Sequence, residues 1–140
     1  MRANQYTVWI ITIMNKVELI KEEFRRLCSF ARHGKLADIE EIIDQSEHNI
    51  PIDYKDDMGN TLLHIAAQNG HKRLVKFCLR RGASLKAQTL SGQTPLHFAF
   101  GFGHQMLGEY LITKGANDSI SNSDGLTCYE GLNIGNVSSL

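Results

Sequence analysis

The sequence predicts an all-α chain built from a repeated helix pair, and three observations carry that expectation. First, Gly59-Asn60-Thr61-Leu62-Leu63-His64-Ile65-Ala66-Ala67-Gln68-Asn69-Gly70-His71 returns 33 positions later as Gly92-Gln93-Thr94-Pro95-Leu96-His97-Phe98-Ala99-Phe100-Gly101-Phe102-Gly103-His104. Second, a Gly-Ala pair closes each copy, Gly82-Ala83 and then Gly115-Ala116, so the repeat spans a whole unit. Third, the apolar residues inside each unit fall at spacings of three and four, the period of a helix with one buried face. A unit of this length cannot bury its apolar face alone, so its copies must stack.

The period, the Thr-[Pro/Leu]-Leu-His-x-Ala core and the two-helix layout resemble ankyrin repeats, over roughly residues 24 to 135. The resemblance implies an all-α solenoid of stacked antiparallel helix pairs joined by hairpin loops, about three to three and a half repeats in all. The expected organisation is a leader or arm over residues 1–15, then a degenerate first repeat (16–55), two full repeats (56–88 and 89–121) and a partial last repeat with its tail (122–140).

The elements follow in order. Thr7-Val8-Trp9-Ile10-Ile11-Thr12-Ile13-Met14 is the only long apolar run. It is too short to span a bilayer and lacks the flanks of a signal peptide. Three readings stay open: a disordered leader, translation that normally starts at Met14, or a β-prone arm that pairs with a partner or another copy. From Lys16 the pattern is helical, with Val17, Ile20, Phe24, Leu27 and Ala31 on one stripe. Gly34 ends that helix, and Leu36, Ile39, Ile42 and Ile43 form the stripe of a second, antiparallel one. Gly34 precedes Gly70 by 36 residues, three more than the period, so the loop 45–56 carries an insertion, and Pro51 keeps it out of a helix.

In the second unit Thr61 caps the first helix, Leu62 to Ala67 supply its buried face, and Gly70 allows the tight turn. Leu74, Val75, Phe77, Cys78 and Leu79 face inward from the return helix. Its basic residues Lys72, Arg73, Lys76, Arg80 and Arg81 suit an exposed face better than a phosphate site. Thr94, His97 and Gly103 repeat the structural positions in the third unit. There Phe100 replaces Ala67 and Gly108 replaces Val75, a swap that conserves volume if both sit in one core. Asp124-Gly125-Leu126-Thr127 opens a fourth copy whose Cys128-Tyr129-Glu130 departs from Pro-Leu-His. The chain reaches Leu140 before a second helix of this copy, which leads us to expect either a partner at that end or a chain normally capped by something else.

Composition argues for a globular chain: 42% hydrophobic residues and Lys+Arg balanced against Asp+Glu at 15 each give no bias toward nucleic acid. Three cysteines without pairing logic suggest reduced thiols, hence an intracellular and most simply cytoplasmic protein. No metal motif, phosphate loop or nucleophile–base spacing is present in the sequence, so neither cofactor, metal, small-molecule substrate nor catalytic residue is expected. By the resemblance, His64 and His97 hold the helix entry and His71 and His104 the turn, leaving only His33 and His48 unassigned. The resemblance also implies a non-enzymatic protein-binding module, an adaptor, scaffold or assembly subunit, with a regulatory or inhibitory chain of an enzyme as the alternative. The implied contact residues are Asp57, Met58, Asn60, Gln68 and Asn69, then Leu90, Ser91, Gln93, Gly101 and Phe102, then Ser123, Asp124 and Leu126.

Overall fold

The structure, a computed structural model, describes residues 4–130. Six helices follow one another: α1 (Gln5–Arg32), α2 (Leu36–Gln45), α3 (Leu62–Gln68), α4 (Lys72–Arg80), α5 (Pro95–Gly101) and α6 (Gln105–Thr113). No described residue lies in a strand. The helices pair as α1 with α2, α3 with α4 and α5 with α6, and the pairs stack through α1 on α3 and α3 on α5. One apolar core runs the length of the stack, from Phe24, Leu27 and Ile39 through Leu63, Leu74 and Phe77 to Leu96 and Leu111. Residues 131–140, the tail of the expected partial repeat, lie outside the described residues.

The local chemistry repeats with the sequence. Thr61 and Thr94 stand in extended backbone at the N-caps of α3 and α5, and each accepts from the backbone N–H three residues on. Gly70 and Gly103 hold φ of 72° and 81° at the helix turns, a conformation that disfavours any Cβ. Behind Gly70 there is no room either, since an added Cβ would meet the His104 ring at 2.7 Å. The swap in the third unit is confirmed in the same way: a Cβ on Gly108 would lie 2.7 Å from the Phe100 ring, which occupies the space Val75 fills one unit earlier. Phe98, whose counterpart Ile65 one unit earlier is buried, is only partly buried against the edge of the core.

The N-terminus departs from expectation. Residues 5–15 are helical rather than of β character and form the first part of α1, which runs unbroken across residue 16 as one helix of 28 residues, about 42 Å long. Asn4 caps it, its side-chain oxygen accepting from Thr7 N at 2.8 Å. Val8, Ile10, Ile11, Thr12 and Ile13 are β-branched, which favours strands, but a strand needs a neighbouring strand. Extending a helix already nucleated on the core avoids the nucleation cost, and each β-branched residue then loses only a few tenths of a kcal/mol.

The extra length of the first unit is shared: α2 has 10 residues where α4 has 9, and the connection to the next helix runs over 46–61 against 81–94. The longer loop is pinned by Glu23, which accepts from Ser46 Oγ at 3.0 Å and pairs with the His48 ring at 3.2 Å. His33 is accounted for as well, its Nδ1 lying 2.9 Å from the Ser29 carbonyl.

Candidate partner-binding surface

Three hairpin loops line up along one edge of the stack, and each is braced by its first residue. The backbone N–H groups of Asp56, Thr89 and Asn122 donate to the carbonyls of Asn60, Gln93 and Leu126, at 2.9 to 3.0 Å. Their side chains brace the inside of the turn: Asp56 Oδ1 accepts from Met58 N and Asn60 N, and Asn122 Oδ1 accepts from Asp124 N and Leu126 N. Neighbouring hairpins are laced together, Leu90 N donating to Met58 O and Ser123 N to Ser91 O, both at 3.0 Å. The tips are thereby held at fixed spacing before any partner arrives.

Two buried imidazoles tie this edge to the helices. Thr61 N donates to His64 Nδ1 at 3.2 Å, which makes Nε2 the protonated nitrogen, and Nε2 donates to the Gln93 carbonyl of the next hairpin at 2.9 Å. His97 repeats the arrangement with Thr94 N at 3.2 Å and the Leu126 carbonyl at 3.1 Å. Burial lowers the pKa of His64 to about 4, against the opposing pull of its bond to Gln93, and burial lowers that of His97. Both rings are neutral struts. His71 and His104 brace the opposite ends of the helices through the carbonyls of Arg32 and Gln68, each at 2.9 Å. In the fourth copy the same capping position is filled by Glu130, whose carboxylate accepts from Thr127 N and Oγ1. The departure from Pro-Leu-His keeps the half of the capping box in which the third residue accepts from the Thr backbone, because a carboxylate accepts there as well as an imidazole does. Glu130 N itself donates to the Thr127 carbonyl.

Among the expected contact residues, Asp57, Met58, Leu90, Ser91, Ser123, Asp124 and Leu126 are exposed on the tips, with Leu90 at 73%. Asn60, Gln68, Asn69 and Gly101 are half-buried, and Asn69 spends its amide on the Ile65 carbonyl. Gln93 is a correction. It is 7% exposed, because its backbone serves both His64 and the Thr89 hydroxyl and draws the residue under the hairpin. Phe102, at the C-cap of α5, is 36% exposed and rests edge-on against Phe98 at 5.9 Å, while Phe100 turns away toward Tyr129.

Repeat-long braces of this kind, with Thr-x-x-His boxes 33 residues apart, are matched by a family model of ankyrin repeats in three copies over residues 27–124. The chain is an ankyrin-repeat protein. It is similar to ankyrin repeat and SAM domain-containing protein 6 of Mus musculus and of Rattus norvegicus, each 46% identical over 43 residues, 31% of this chain and 5% of theirs. It is also similar to acyl-CoA-binding domain-containing protein 6 of Bos taurus, 31% identical over 71 residues, 51% of this chain and 24% of that one. This ankyrin-repeat chain therefore spans only a small part of the length of these relatives. Ankyrin repeats are generally protein–protein interaction modules, and no described helix here is long and apolar enough to cross a membrane.

Two surface features carry no local sequence signal because they join residues far apart in the chain. Lys72, Lys76 and Lys114 crowd the Tyr110 ring at 4.9, 5.8 and 5.5 Å, so part of the basic run of α4 is engaged internally. Arg81 pairs with Asp44 at 2.6 Å. The described residues contain no group of three His, Cys, Asp or Glu placed to hold a metal ion. Cys28, Cys78 and Cys128 are buried free thiols, raised by burial to about 12, 12 and 11. They are therefore poor nucleophiles.

Proposed function

We propose that this chain is a non-enzymatic recognition module that binds a partner protein along the hairpin tips and across α3 and α5 to their C-terminal ends, as an adaptor or small subunit of an intracellular assembly. The observation that carries the reading is a rank of exposed apolar side chains, Met58, Leu90 and Leu126, on hairpins hydrogen-bonded within and between themselves, with Phe102 exposed at the C-terminal end of α5. Such a surface loses little conformational freedom on binding, and a supported aromatic ring is a favoured anchor. Asp57 and Asp124 at the rim suit a partner with basic groups around an apolar centre.

The test is capture from native extract with wild type and Phe102→Glu side by side. We expect Phe102→Glu to lose the captured protein while shifting stability by less than about 1 kcal/mol, since the ring is partly exposed at a helix end. A variant that folds and still captures the same protein at wild-type affinity removes Phe102 and the surface around it from the proposal.

A further inference from the structure

The first half of α1 presents the largest apolar surface that the ankyrin stack does not use. Phe24, Leu27 and Ala31 are buried in the core on one stripe of this helix. The same stripe continues toward the N-terminus through Tyr6, Ile10, Ile13, Val17 and Ile20, in steps of four and three alternately and without a break. There it leaves the stack: of these five only Ile20 is even partly buried. A stripe of period 3.5 is the seam that another helix packs into, knobs into holes. Its continuity with the seam already filled by the repeats says that the missing neighbour is helical.

Charge identifies that helix. Residues 5–15 carry no charge, and Lys16, Glu18 and Lys21 follow. A helix lying on an anionic lipid surface carries Lys or Arg along its polar face, which this stretch lacks. In a parallel pair of α1 helices the seam would set Lys16 against Lys21 of the other copy, twice over. In an antiparallel pair with Ile10 facing Ile13 of the second copy and Tyr6 facing its Val17, Lys16 lies beside the Trp9 of the other chain. No like charges meet, and an indole face is a good neighbour for an ammonium group. Sliding one heptad further would bring Lys16 onto Lys16 at the dyad, so one register is singled out.

We infer that two copies of this chain associate through residues 6–17 of α1, as an antiparallel helix pair with Ile10 and Ile13 at its centre and the two ankyrin stacks pointing outward. This self-association is independent of the hairpin surface and leaves it open on both copies.

Sedimentation of the full chain over a concentration series tests it. The short seam should give a weak dimer, populated at about 100 μM and dissociated near about 1 μM. Ile10 and Ile11 are equally exposed at 51%, yet only Ile10 lies on the seam. Ile10→Lys should abolish the dimer, Ile11→Lys should keep it, and neither should alter melting of the stack in dilute solution. A mixture of Ile10→Cys and Ile13→Cys chains should crosslink faster than either variant alone. The inference fails if the wild type stays monomeric, if the two Lys variants weaken association equally, if Ile10→Cys crosslinks fastest with itself, or if the monomer instead binds vesicles of anionic lipid.

Discussion

The second and third repeats use the same backbone to opposite ends inside the core. Both have a Thr-x-x-His box, a left-handed glycine at the turn and a hairpin laced to its neighbour. In the second, Ala67 lets the helices approach and Val75 fills the space; in the third, the Phe100 ring fills the place that Gly108 vacates. The polar frame is therefore the invariant part of the unit and the apolar filling is exchangeable, as expected where total volume and patterning decide the core. The two units also differ in what covers them. The second has a complete helix pair on each side, whereas beyond the third the described chain ends at Glu130, with one hairpin and the Thr127–Glu130 contact.

The severest way to break the comparison is to remove one side of it. Deleting residues 89–140 leaves two stacked pairs, too few for a stable array, and circular dichroism on heating should show no cooperative transition. Acid probes the shared frame. Between about pH 6.5 and 4 the unfolded chain protonates its histidines while buried His64 does not, so the unfolded state binds more protons and stability falls as pH falls. His64 alone should account for roughly 3 kcal/mol between urea titrations at pH 7 and near pH 4, and His97 shifts stability in the same direction.

The core exchange is open to a double-mutant cycle. Gly108→Val drives a side chain into the Phe100 ring and should cost about 1–3 kcal/mol, and Phe100→Ala leaves a void of comparable cost. Together they restore the filling of the second unit, so the double variant should be more stable than the sum of the single losses allows, with a coupling of about 1 kcal/mol or more in urea denaturation. The smallest effect separates the two turns. Gly70→Val and Gly103→Val should each cost about 1–2 kcal/mol from the left-handed backbone. Gly70→Val should cost more, because His104 packs on Gly70 while no described atom lies within reach of a Cβ at Gly103. Equal melting temperatures would mean that the His104 brace contributes nothing.

Much of this molecule is determined by its sequence alone, because the interactions that define the unit are local. A Thr caps a helix three residues away, a glycine ends it, and apolar residues three and four apart share a face, so the repeats, their helix pairs and the roles of Thr61, Gly70 and their counterparts are legible without a structure, while the role of His64 follows from the resemblance to ankyrin repeats. The hairpin tips follow from the same resemblance. Tertiary structure decided what depends on neighbours distant in the chain. Gln93 is drawn inside by His64, 29 residues before it. The basic run of α4 is partly consumed by Tyr110 on α6. Residues 5–15, with the side chains of a strand, are helical because the only structure within reach to extend is a helix already anchored on the core. Local preference there amounts to a few tenths of a kcal/mol per residue, and the packing of Phe24, Leu27 and Ala31 outweighs it.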